Sequence, residues 1–231
     1  MVDQNKLAIF ILALQKSVHR LGISLFLLTL VIFFLSPELL KAVQEHLSEK
    51  LYFFSVAGPF LSHVKLSLFG AVFLLMPWFL TVLWSAMGKP FKMGKGQIFF
   101  FVFFTCILFY IGTIFCYFVT LPLGIKFLLG FGSAELQPVI SISRFVTFVT
   151  VFVLAFGLAF ELPIFMVFMG RVGICTRKFF ERNRRFAVLG IAIIAALITP
   201  TPDVINMGLM GGPLYFLYEA GIIILRVMRI Q

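Results

Sequence analysis

The sequence predicts an all-α membrane protein with six transmembrane helices, and three observations carry that prediction. Of its 231 residues, 61% are apolar and only 12% charged, with a mean hydropathy of +1.11. A chain of that composition leaves much of its apolar surface to lipid rather than to one globular core. Long runs almost free of charge recur six times along it. Lys and Arg fall unequally in the connections between those runs, as the loops of an inserted protein require.

The N-terminus comes first. Lys6 followed by the apolar segment 7–14 imitates a secretory signal, but no small-residue cleavage site follows, and Lys16, His19 and Arg20 come next. Residues 1–20 therefore read as a retained, partly amphipathic cytoplasmic arm resting against the membrane. Spans follow at about 21–37, 66–88, 97–121, 145–170, 186–199 and 207–225. After the first span, Ser36-Pro37-Glu38 reads as N-cap, first-turn proline and first-turn acid. Leu39, Leu40, Val43 and Leu47 then give a helical stripe, so 37–50 reads as a separate amphipathic surface helix. Gly58-Pro59-Phe60 opens the helix that becomes span two, and 130–141 is an outer loop.

Spans five and six read as shortened. Thr199-Pro200-Thr201-Pro202 ends span five, because proline lacks an N–H and disfavours helix at the residue before it. The remaining 186–199 is 14 residues, or ~21 Å against a hydrocarbon core of ~30 Å. Gly208, Gly211, Gly212 and Pro213 leave only 214–225 of span six free of helix breakers. Pro59, Pro163, Pro200 and Pro202 are read as structural residues.

Orientation follows from the basic residues. The arm, loop 89–95, connection 171–185 and the segment after 225 hold 14 of the 19 Lys and Arg, and the opposite loops hold 5. The excess places both termini in the cytoplasm. The formal charge of +10 is thereby explained by loops facing one side, not by nucleic-acid binding. No connection is long enough for a folded soluble domain, so 1–231 reads as one integral membrane unit.

Catalytic signatures are missing. Gly88 and Gly94-Lys95 enclose five residues where a phosphate loop needs four, and Gly96 stands where Ser or Thr should hold magnesium. His19, His46 and His63 are scattered, so no metal or haem site is expected. Cys106, Cys116 and Cys175 form no CxxC pair. No enzyme activity and no cofactor are predicted.

Three acids lie at membrane depth or its border: Glu161, Asp203 and Glu219. Glu161 is ten residues from Arg171, hence roughly 15 Å into the bilayer, where a carboxylate costs at least ~2.5–3.5 kcal/mol. It should face other helices, a wet cavity or a substrate, or else be protonated packing glue between helices. Asp203 is either the N-cap of the last helix or a functional acid. Glu219 stands seven residues before Arg226, on one helix face, and reads as a snorkelling ion pair with it. By themselves these residues fit a small proton-coupled transporter with Glu161 as relay, or a non-transporting scaffold whose acids are structural.

Several segments together resemble the TatC family, the large membrane subunit of the twin-arginine protein translocase. Phe156-Gly157-Leu158-Ala159-Phe160-Glu161-Leu162-Pro163 is similar to its fourth-span motif, with Glu161 at the family's intramembrane Glu. Thr199-Pro200-Thr201-Pro202-Asp203 and Pro213-Leu214-Tyr215-Phe216-Leu217-Tyr218-Glu219 resemble its last two spans. Phe109-Tyr110-Ile111-Gly112 resembles its third span, and Pro59-Phe60, Lys65 and Pro77 recur at its spacing into span two. The resemblance covers about 10–225 and implies a cup-shaped six-helix bundle without catalytic chemistry, to which shortened spans five and six are suited. It further implies an inner-membrane protein that binds twin-arginine signal peptides of folded cargo. Partners of the TatA and TatB single-span type, homo-oligomerisation and export driven by the proton motive force are implied as well.

One place departs from the family. Its acid in the loop after span two falls at Lys95, its Phe nearby at Ala86, and the arm's Glu near Lys16, whereas Arg20 fits the family's basic position. Arg20 and Lys95 are accordingly the signal-peptide-binding candidates. On the side assigned to the cytoplasm only Asp3 and Glu181 offset the 14 basic residues, leaving about +12, which repels an arginine pair. Either a partner subunit supplies the acids, or the cargo signal differs, or the chain is a divergent paralogue.

Overall fold

A computed structural model describes residues 4–47, 51–52, 54–130, 140–198 and 204–228. Helix α1 is Gln4–Leu47, α2 is Gly58–Gly88 and α3 is Lys95–Phe115. A π-helical turn, Cys116–Thr120, carries α3 into α4, Leu121–Leu129. Helices α5, Ile142–Ala159, and α6, Leu162–Val172, follow, then the short α7, Arg177–Arg182. Helices α8, Arg184–Ile198, and α9, Val204–Val227, complete the chain. The short strands β1, Leu51–Tyr52, and β2, Ile140–Ser141, pair in parallel, Leu51 with Ile140 and Tyr52 with Ser141.

Among the described residues, five helical stretches are long and apolar enough to cross a bilayer: Ser17–Glu45, Gly58–Gly88, Lys95–Phe127, Ile142–Val172 and Met207–Val227. At 15 residues, α8 reaches only ~22 Å. Thr199, Pro200, Thr201, Pro202 and Asp203, on which the expected end of the fifth span rests, lie outside the described residues.

Two expectations are corrected. The arm, span one and the surface helix predicted over 37–50 are one unbroken helix, with Pro37 inside it. Pro37 removes the N–H that would bond the Phe33 carbonyl four residues back. The Ser36 hydroxyl donates to that same carbonyl at 2.7 Å, so Ser36 repairs a helix instead of capping one. The sixth span is likewise not shortened by its helix breakers, since α9 runs 24 residues through Gly208, Gly211, Gly212 and Pro213. Each glycine costs ~1 kcal/mol of helix propensity, but an unpaired backbone group in hydrocarbon costs several, and the helix persists.

Contacts divide the chain into two compact units, 1–106 with 132–150 and 107–131 with 151–231. In the first, α1 packs on α2, where Ile32 meets Gly70 so closely that a Cβ there would lie 3.3 Å from the isoleucine. Ser36 also reaches His63 Nδ1 at 3.0 Å. Trp84 is fully buried, stacks on Phe101 at 4.7 Å and donates its indole N–H to Thr105 at 3.0 Å. A buried indole needs such an acceptor. Lys65 Nζ donates to Thr147 at 3.0 Å and Ser143 at 3.3 Å, tying α2 to the start of α5.

The second unit is built on aromatic rings seated on glycines. Phe152, Phe156 and Phe160 form a ladder along α5 and the turn after it, and Phe115 of α3 meets the last two. Gly157 lies against Phe109 and Thr113, and Gly112 against Phe160. A Cβ at Gly157 would come within 2.6 Å of the Phe109 ring, and one at Gly112 within 2.6 Å of Phe160. Helices α6, α7 and α8 each pack against α9.

Those distances predict that Gly157→Ala and Gly112→Ala each destabilise the protein by about 1–3 kcal/mol through overpacking. Gly190 of α8 has open space around its Cβ position, so Gly190→Ala is expected to leave stability unchanged or slightly raised. Thermal unfolding in detergent measures all three. Equal effects at the three sites would refute the close-packing account.

Candidate functional site

Proline chemistry places Glu161. Pro163 cannot donate to the Ala159 carbonyl, so α5 ends at Ala159 and α6 restarts at Leu162 with Pro163 in its first turn. Glu161 sits in the break with φ −71° and ψ −10°. The chain tightens there: the Glu161 N–H bonds the Leu158 carbonyl at 3.1 Å, and the Glu161 carbonyl takes the Phe165 N–H at 3.0 Å. The side chain is only 7% exposed.

Its neighbours in sequence are held from two sides within the second unit. Phe160 fits over Gly112 of α3, and Pro163 approaches Gly221 of α9, where a Cβ would lie 3.3 Å from the proline Cα. Met166 covers the same glycine. Two glycines on different helices thus admit the residues flanking Glu161, and a break that could hinge is clamped. Glu161 is thus a buried acid at a packed break in a segment long and apolar enough to cross a bilayer.

The remaining polar candidates separate. Glu219 does not pair with Arg226, which corrects the expected bond along one helix. Its Oε2 takes Arg184 Nη2 at 2.9 Å, and its Oε1 accepts from the Tyr215 hydroxyl at 3.1 Å. Arg226 instead donates to Glu181 at 2.9 Å, and Arg177 lies 3.4 Å from the same carboxylate. The Tyr218 hydroxyl donates to the Phe180 carbonyl at 2.8 Å. Three contacts therefore fasten α7 and the start of α8 to α9, over sequence separations of 35–45 residues.

Arg20 is exposed on α1 and Lys95 is exposed as the first residue of α3, and neither forms an ion pair among the described residues. Pro59 lies in the first turn of α2, where its missing N–H costs nothing. Asp203, Pro200 and Pro202 lie outside the described residues. Sequence reasoning missed Glu181. Its signal was scarcity, since it is one of two acids on the strongly basic side of the chain.

The family profile described as Sec-independent protein translocase protein (TatC) matches residues 10–213. The chain belongs to the TatC family. The Sec-independent protein translocase protein TatC of Carboxydothermus hydrogenoformans is 33% identical over 184 residues, covering 79% of this chain and 76% of that protein. The protein of the same name from Campylobacter jejuni is 39% identical over 165 residues, 71% of this chain and 67% of the relative. A crystal structure of the twin arginine translocase receptor TatC in DDM superposes with a TM-score of 0.82 at 26% identity, covering 93% of this chain and 98% of that one. As a member of TatC, the chain is a multi-pass membrane component of the Tat protein translocase and not an enzyme. Membership favours translocation over the small-transporter alternative.

The α7–α9 clamp makes a pH prediction. The hydrogen bond from Arg226, aided by Arg177 and Arg184, holds the Glu181 carboxyl below its ordinary value of 4.5. A depressed folded value stabilises the folded state above the ordinary value, and that contribution is lost as pH falls through the lower one. Wild-type protein and Glu181→Gln are therefore expected to differ in thermal stability at pH 7, and the difference is expected to shrink as pH falls below the ordinary carboxyl value of 4.5. A gap that stays constant down to pH 3 would show that the carboxylate charge plays no part.

Proposed function

We propose that this chain is the signal-peptide receptor of a twin-arginine translocase, exporting folded cargo across the inner membrane at the expense of the proton motive force. It works with single-span partners of the TatA and TatB type and self-associates within that complex. The chain crosses the membrane six times, α8 being the short fifth crossing, as one integral unit with both termini in the cytoplasm. The division of basic residues, 14 against 5, supports this orientation. A reporter fused after Gln231 is expected to be cytoplasmic and one inserted at Ser133 external. A cytoplasmic signal from the Ser133 insertion would rule out the six-crossing arrangement.

The observation that carries the reading is Glu161, a buried acid clamped at the break of a membrane-crossing segment in a TatC-family chain. In this reading Glu161 lines the route of the signal peptide, Glu219 and Asp203 complete the polar lining, and Pro163, Pro200 and Pro202 shape the helices that bear them. Pro59 sets the entry into α2. Glu161→Ala is expected to abolish export while leaving insertion and folding intact, and Glu161→Gln to retain part of it. Full export by the Ala variant would reduce Glu161 to packing.

Arg20 and Lys95 are the residues of the receptor face that meet the signal peptide. With a lysine where the family has an acid, a partner subunit supplies the acids that pair with the two arginines. Lys95→Glu then strengthens signal-peptide binding to the isolated chain, because repulsion gives way to a charge-assisted hydrogen bond. The same change alters little in the assembled complex. Cross-linking of a twin-arginine peptide to loop 88–97, with Lys95 and Lys95→Glu compared at low and high salt, tests this. No cross-link in either background would remove the receptor role from this loop.

A further inference from the structure

The connection between α6 and α8 sorts its charges. Glu181 is taken by Arg226 and Arg177, and Glu219 by Arg184. Lys178, Arg182 and Arg185 belong to the same connection, yet none of them forms an ion pair among the described residues. Helical spacing explains the sorting. Arg177 and Glu181 stand at i and i+4 on α7, and Lys178 and Arg182 form the next such pair, about 100° around the helix. One face of α7 is neutralised against α9, and the adjacent face is left positive.

That positive face borders a cavity. Lys178, Arg182 and Arg185, with Thr176, Phe179 and Asn183, line an open surface pocket of about 490 Å³ that contains no acid. Three like charges around one concavity repel one another, and an anion in it removes that cost.

The pocket also lies at the edge of apolar surface. α6 ends at Val172 with Gly173 as its left-handed cap, and only ten residues separate that cap from Arg184, where α8 begins. Phe179 and Phe186 are more than half exposed, and the Arg185 guanidinium lies 4.8 Å over the Phe186 ring. From Phe186 onward α8 is apolar. Cations beside exposed rings, at the foot of an apolar helix, match a headgroup level where phosphate lies above and acyl chain below.

We propose that this pocket binds the phosphate of an anionic phospholipid headgroup, with Lys178, Arg182 and Arg185 on the phosphate and Phe179 and Phe186 against the upper acyl chains. The site is independent of the signal-peptide reading, since it uses neither Arg20, Lys95 nor Glu161. A soluble phosphate would satisfy the cations but would leave the two rings uncovered.

The full chain, purified in mild detergent and stripped of lipid, is titrated with phosphatidylglycerol and with phosphatidylcholine, and bound lipid is counted by native mass spectrometry. Each basic residue at a membrane surface contributes about fivefold, so Lys178→Gln/Arg182→Gln/Arg185→Gln is expected to weaken phosphatidylglycerol binding by about a hundredfold. The charge-keeping Lys178→Arg/Arg182→Lys/Arg185→Lys variant is expected to retain binding within about tenfold. Lys89→Gln/Lys92→Gln, which removes positive charge away from the pocket, is expected to weaken binding far less than the triple Gln variant does. Unfolding temperatures of all variants within a few degrees of wild type show that the effect is not loss of fold. Equal phosphatidylglycerol binding by wild type and the triple Gln variant would overturn the site, and so would an equal loss in the Lys89→Gln/Lys92→Gln control. Inorganic phosphate that protects the pocket as well as phosphatidylglycerol does, with no preference of the chain for that lipid over phosphatidylcholine, would overturn the lipid assignment.

Discussion

A peptide group inside hydrocarbon has no water to fall back on, so every backbone N–H and C=O there must find a partner within the protein. This requirement governs how the chain treats its prolines and glycines. At Pro37 the carbonyl left without an N–H is Phe33, and the Ser36 hydroxyl reaches it at 2.7 Å. The helix continues, and what would be a turn in water becomes part of a 44-residue helix. In α9 four helix breakers within six positions fail to break the helix for the same reason.

At Pro163 the chain gives way, and there it is supported from two sides. Phe160 is seated over Gly112 and Pro163 over Gly221, so the interruption is held by close packing. Small residues serve this purpose in a membrane protein, where helices gain nothing by hiding apolar surface from lipid and associate through contact. Several polar side chains within the apolar helices follow the same rule. Trp84 is matched with Thr105, Lys65 with Ser143 and Thr147, and Tyr218 with the Phe180 carbonyl. Each pair joins segments at least 21 residues apart in sequence.

Charge is arranged with equal economy. The chain has 19 Lys and Arg against 9 acids, so most of its cations cannot be paired internally. The acids near α7 and α9 fasten those helices together, and the cations they leave over gather on one face around one pocket. Structural ion pairs and a surface left free for an anion thus come from the same short connection.

Composition and periodicity by themselves determined that this is a helical membrane protein and where the apolar stretches run. These are sums over many residues, and no single contact can reverse them. Glu161 was legible too, because a lone carboxyl in a 26-residue apolar run is costly wherever the chain folds. Local signals fared worse. Ser36-Pro37-Glu38 has the chemistry of a helix start, and only the neighbouring carbonyl and the packing of α1 on α2 turned it into a repair. The spacing of Glu219 and Arg226 was compatible with a bond along one face, yet Arg184 of α8 and Glu181 of α7 come within 2.9 Å of them instead. Partner choice, the clamp around Glu161 and the sorting of charge on α7 were decided by tertiary structure alone. Each depends on which distant segment comes within about 3 Å, and an amino-acid sequence carries no distances between its distant parts.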